Sequence, residues 1–170
     1  MSNKDNMLSS KELVLEVENI FIQSGFIISS FLDLKNGFVR FQLSKNGVEY
    51  IINTNIRNVG SAYLPNKPYI MRRQVGKMNL DDIPGNTGRT ASMLLAVASV
   101  DGERVLACWN PFYFVGHSTN RSCYVLQNSL ETARSNGFYD GVDCKTPVLV
   151  CSTKMFEQLL NVYLERNAVD

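Results

Sequence analysis

The sequence predicts an α+β domain that is mostly β: an open, curled antiparallel sheet or pseudobarrel of about seven strands, with a helix at each end and a short one between late strands. Three observations predict it. Apolar residues alternate or run together in stretches of strand length, several of them separated by Asn-Gly or Asp-Gly pairs. Helical periodicity is confined to the two ends and to one short late segment. Strands and helices do not alternate, so a doubly wound parallel fold is not expected. At 170 residues the chain fits a single domain over residues 1–170, with residues 1–10 expected to be flexible.

The first helix is signalled locally. Ser9 can cap it, Glu12 completes a capping box, and Leu13, Val17, Ile20 and Phe21 recur on one face until Gly25 ends it. Strand-like stretches follow at 26–34, 38–44 and 48–54. They are separated by Asn36-Gly37 and Asn46-Gly47, which suit the two positive φ angles of a type I′ turn, so an antiparallel meander is expected. Residues 55–90 carry prolines and glycines without a long period and read as loop-rich. Strands at 92–100 and 103–109 flank Asp101-Gly102 and are apolar enough to be central. A strand at 121–126 leads to a short helix, for which Asn128 and Glu131 are the expected capping residues and Gly137 the stop. A last strand at 147–151 precedes a C-terminal helix, expected to be capped by Ser152, with Phe156, Leu159, Leu160, Tyr163 and Leu164 on one stripe.

Composition bounds the function. The chain is 45% hydrophobic and 19% charged, and no apolar run approaches the roughly 18 residues that would cross a bilayer, so no membrane partner is expected. The polar amino terminus reads as cytoplasmic. Cys108, Cys123, Cys144 and Cys151 lack metal-ligand spacing, and three have apolar neighbours, which favours buried reduced thiols. With His117 as the single histidine, two-histidine metal centres have too few ligands. No phosphate-binding glycine loop opens a helix. No metal, cofactor or catalytic residue is assigned. A thiol–imidazole pair of His117 with Cys108 or Cys123 lacks any mark of an activated thiolate. Asp101 and Glu103 are the nearest candidates for a carboxylate metal site, but a hairpin turn and an exposed strand start account for them better.

The net charge of +1 says little; its distribution says more. Between residues 55 and 90 lie Arg57, Lys67, Arg72, Arg73, Lys77 and Arg89 against only Asp81 and Asp82. Tyr63, Tyr69, Asn66, Gln74 and Asn79 are interleaved. Lysine and arginine neutralise phosphates, arginine can grip guanine through two donors, and glutamine or asparagine can pair with adenine. A second polar stretch, Gly116 followed by His117, Ser118, Thr119, Asn120, Arg121 and Ser122, is a poor core and a good contact surface. Trp109, Phe112, Tyr113 and Phe114 read as core and strand-end packing rather than a stacking platform for bases. The expected partner is double-stranded DNA. Arg57, Lys67, Lys77 and Arg89 are expected on phosphates, while Arg72, Arg73, Gln74, His117, Asn120 and Arg121 are expected at base edges or the phosphates beside them; Tyr69, Ser118, Thr119 and Ser122 complete the surface.

Several short motifs recur in a telling order. KPYIMRRQ (67–74) is followed by VLACWNPFYF, then by His117 and STNRSCYV, then by SLETARSNGF. This order resembles the B3-like DNA-binding pseudobarrel modules of bacterial restriction–modification systems, in which an R-x-Q strand precedes an A-W-D-P…H strand, a serine-rich recognition stretch and an L-x-x-A-x-x-N-G helix. Arg72-Arg73-Gln74 matches the first element, and Ala107 to Pro111 the second, with Asn110 in place of aspartate. Leu130, Ala133, Asn136 and Gly137 match the helix. The resemblance covers about residues 67–137. It implies a B3-like open barrel that clasps the major groove, holds no catalytic centre or cofactor of its own, and works with a nuclease or helicase subunit. Two alternatives stay open on the residues alone: a small restriction-type nuclease with a carboxylate metal site, and a protein-interaction or immunity module whose basic loop meets an acidic protein.

Overall fold

A computed structural model of the chain describes residues 7–62, 64–76, 78–115 and 121–169. The first helix, α1 (Ser10–Gln23), forms as its local signals dictate. Ser9 Oγ accepts from the Glu12 N–H at 3.2 Å and Glu12 Oε1 accepts from the Ser9 N–H at 3.1 Å. Those bonds hold the Glu12 carboxyl below its usual range. Leu13, Val17, Ile20 and Phe21 are buried, and Gly25 turns the chain out at φ +91°.

Among the described residues ten strands follow: β1 (Ile27–Asp33), β2 (Val39–Lys45), β3 (Val48–Asn58), β4 (Gly60–Ser61), β5 (Ile70–Val75), β6 (Thr90–Val100), β7 (Glu103–Trp109), β8 (Arg121–Leu126), β9 (Phe138–Asp143) and β10 (Thr146–Ser152). Seven make one sheet in the order β1-β2-β3-β6-β7-β10-β9, and β4-β5-β8 make a second, smaller one. The domain is therefore α+β and mostly β, with an open sheet ending in two edges. One detail departs from the antiparallel expectation: β3 and β6 run parallel, Ile51 beside Thr90 and Asn58 beside Val97. A parallel pair needs a crossover, and residues 59–89, expected to be loop, supply it while carrying β4 and β5.

The turns follow their chemistry. Asn46-Gly47 and Asp101-Gly102 take the paired positive φ angles of type I′ hairpins. Asn36-Gly37 does not. There the positive angles fall on Lys35 and Gly37, and the side chains of Asp33 and Asn36 accept from the Lys35 and Phe38 N–H groups in a longer loop. Strand β9 was not foreseen; it joins β10 through a turn with positive φ at Cys144 and Lys145.

Both faces of the central strands are covered, which explains their unbroken apolar character. On one face Met93, Leu95, Leu106, Cys108, Leu149 and Cys151 meet α1 and α3 (Phe156–Asn167). On the other, Leu94, Ala96, Val105, Ala107, Trp109, Val148 and Val150 meet Val75, Cys123 and Val125 of the small sheet, with Leu130 and Ala133 of α2 (Gln127–Asn136). The predicted stripe of α3 is buried at Phe156, Leu159, Leu160 and Tyr163, with Leu164 packed against its margin.

Two helix caps come from elsewhere than expected. Neither Asn128 nor Ser152 caps by its side chain. Asn128 lies inside α2, whose first turn is held by the buried Asp143: its Oδ2 accepts from the Leu126 N–H at 2.9 Å and from Ser129 Oγ at 2.7 Å. The start of α3 is held by Ser24, whose hydroxyl accepts from the Phe156 N–H at 3.0 Å. In both cases tertiary contact replaces a local cap.

Candidate nucleic-acid interface

Strands β5 and β8, far apart in sequence, pair antiparallel. Arg72 lies opposite Tyr124, Arg73 opposite Cys123, Gln74 opposite Ser122 and Val75 opposite Arg121. Because side chains alternate across a strand, this register sorts the basic run. Val75, Cys123 and Val125 face the main sheet, and Met71 packs against the same cluster. Arg73 goes with them. It is 1% exposed, donating from Nε to the Leu95 carbonyl at 3.2 Å and from Nη2 to the Asn55 carbonyl at 3.0 Å and to Asn55 Oδ1. Burial without a carboxylate partner lowers its pKa to about 10; the Cys123 thiol opposes that and the nearby Arg57 charge adds to it. The expected base contact at Arg73 is therefore corrected by the structure: this guanidinium braces the two sheets and does not reach the surface.

The other side of the ribbon presents Arg72, half-buried, beside Tyr124, and Gln74, exposed, beside Ser122. None of β4, β5 and β8 contains an acidic residue. At one end of this face the loop into β5 exposes Lys67 and Tyr69, the ring of Tyr69 half free at 50% exposure. Its backbone is pinned where β8 becomes α2, the Gln127 N–H donating to the Tyr69 carbonyl at 2.7 Å. Arg57 is exposed at the end of β3, two residues beyond the Asn55 that holds Arg73. Among the described residues, Arg57, Lys67 and Arg72 make no ion pair, whereas Lys45, Arg104, Arg134 and Arg166 are each matched by a carboxylate.

Two other predicted contacts lie apart. Arg89 is exposed beside Ile51, at the opposite end of the β3–β6 ladder from Arg57. Six residues of strand separate the two, about 20 Å. Arg121 is exposed but by alternation leaves the Arg72 side: its Nη1 donates to the Tyr113 carbonyl at 3.3 Å and its guanidinium lies 5.8 Å from the Phe114 ring centre. Lys77, His117, Ser118, Thr119 and Asn120 lie outside the described residues, as does Tyr63.

Tyr124 was missed by sequence reasoning, although the alternation of Cys123 and Val125 with Ser122 and Tyr124 carries the signal. Asp101 and Glu103 both face Arg134, at 3.4 and 4.0 Å. No cluster of three metal-ligating side chains occurs among the described residues. Cys108, Cys123 and Cys151 are buried with their thiols pushed up, that of Cys123 to about 12, so none resembles an activated nucleophile. Trp109 and Phe114 are core, while Tyr113 is 49% exposed. No helix among the described residues is long and apolar enough to cross a membrane.

Residues 50–159, from β3 into α3 and including both strands of the ribbon, match the family model described as methylase-associated X1. No curated protein matches the chain, and no solved structure does.

Proposed function

The chain belongs to the methylase-associated X1 family, and on that premise we propose that it is a double-stranded DNA recognition module of a restriction–modification or related defence system, without catalysis of its own. One observation carries this reading: the outward face of β5–β8 sets Arg72, Gln74, Ser122 and Tyr124 side by side, with no acidic residue in the three strands. A two-stranded ribbon is one of the few elements that fit the major groove. Alternate residues on a strand are about 6.7 Å apart, close to two base-pair rises of about 3.4 Å. Arg72 and Gln74 are then spaced to address bases two steps apart, arginine suiting guanine and glutamine suiting adenine. Lys67 and Arg57 neutralise phosphates at the margins, and Tyr69 and Tyr124 add apolar contact. The buried Arg73 holds the ribbon on the main sheet, so the reading side chains stand on a braced support.

In this reading the main sheet and the small sheet together form the open pseudobarrel of the B3-like modules, with β5–β8 as the reading arm. The module serves in the cytoplasm, with a methylase, nuclease or helicase of the same system as its protein partner. The test is a selection of bound duplexes from a random pool, run with plain and with cytosine-methylated DNA. Enrichment of a defined motif is expected in at least one pool, with Gln74→Ala relaxing the preference at one position; equal retention of all sequences in both pools would contradict the proposal.

A further inference from the structure

Resting on that reading, we propose that Lys145, at the tip of the β9–β10 hairpin, is a phosphate contact of the same interface. The hairpin belongs to the main sheet, but its tip is tied to the foot of the reading arm. Asp143, 1% exposed, accepts from the Leu126 N–H at 2.9 Å, from Ser129 Oγ at 2.7 Å and from Tyr139 Oη at 2.7 Å. Leu126 is the last residue of β8, and the next residue, Gln127, donates to the Tyr69 carbonyl. The two residues after Asp143 are thus held beside the loop that bears Lys67. The Lys67 charge acts on the Cys144 thiol, against the effect of burial.

Two further features single out Lys145. It is exposed and makes no ion pair among the described residues, while the neighbouring carboxylate of Asp143 is turned inward and engaged by three donors. It also occupies the second central position of a tight hairpin at φ +71°, following Cys144 at +49°. The corresponding positions in the other two tight hairpins are Gly47 and Gly102. A side chain there is strained where glycine is not, and strain of this kind collects at functional sites. The geometry thus keeps a lysine at a position that turn chemistry alone assigns to glycine.

Lys145→Gly removes the charge and relaxes the turn, so a loss of binding at unchanged thermal stability is not a loss of folding. The expected result with a duplex of fixed sequence is unchanged or raised thermal stability and a slope of log K against log salt shallower by about 0.9. The ratio of wild-type to variant affinity then falls about threefold between 50 and 200 mM salt. Lys145→Arg is expected to keep the wild-type slope. If Lys145→Gly keeps the wild-type slope while Arg72→Ala reduces it, this inference fails and the interface stands. If the wild-type chain shows no salt-dependent duplex binding, both fail.

Discussion

Arg72 and Arg73 are adjacent, equal in charge and opposite in role, so substituting each by alanine separates support from contact. Arg73→Ala deprives the Leu95 carbonyl, the Asn55 carbonyl and Asn55 Oδ1 of their donor. At about 1–3 kcal/mol for the buried Leu95 carbonyl and less for each of the two part-buried Asn55 acceptors, this amounts to roughly 4 kcal/mol, and the cavity adds about 1–2. Against that stands relief of charge burial. The shift of the guanidinium from 12.5 to about 10 corresponds to about 3 kcal/mol. The sign is that of a base whose proton is held more weakly folded than unfolded, so the penalty is fully present at neutral pH and fades only as pH rises through 10 towards the unfolded value. A net destabilisation of roughly 3 kcal/mol remains, or about 6–12 °C in Tm for a domain of this size. Arg73→Met, which removes the charge but fills the space, is expected to lose less. Arg72→Ala, half-buried and without an ion pair, is expected to change stability by no more than about 0.5 kcal/mol while weakening duplex binding. Thermal unfolding and a duplex titration on the same preparations read both. A Tm within about 2 °C of wild type for Arg73→Ala, or equal losses of stability for the two variants, would refute the assignment of inward and outward faces.

Ser24→Ala removes the acceptor of the Phe156 N–H and the donor to the Thr153 carbonyl, bonds that join the end of α1 to the start of α3; a loss of about 1–2 kcal/mol is expected in urea unfolding. Among the four cysteines, only Cys144 is exposed, so a native thiol assay at pH 8 is expected to titrate one group. That group should react more slowly than free cysteine because burial raises its pKa, and the remaining three thiols should appear on unfolding.

The parts of the fold legible in the sequence are those fixed by neighbours along the chain. The capping box of α1, the Asn46-Gly47 and Asp101-Gly102 turns and the apolar β6–β7 pair all depend on residues a few positions apart. What was not legible depends on distant partners. Asp143 holds the start of α2 and Ser24 that of α3, and neither leaves a local mark. Strand β9 has weak alternation and a turn without glycine, so only its pairing with β10 reveals it. The candidate site was legible as composition but not as orientation. The run Met71 to Val75 did hold the missing sign: apolar residues flank Arg73 at i−2 and i+2, so the residue between them faces the core and Arg72 and Gln74 face out. Arg89 could not have been separated from the interface without the parallel β3–β6 register, which sets it far from Arg57.

The proposed function requires duplex DNA to meet the outward face of β5 and β8. Mapping backbone amide NMR shifts during titration with a short duplex tests it most directly, because it reports the contacted surface without altering a residue. Changes are expected to concentrate at Arg72, Gln74, Ser122 and Tyr124 and to extend to Lys67, Tyr69 and Lys145, with α1 and α3 on the far face undisturbed. Changes confined to α1, α3 or the β1 edge would contradict it.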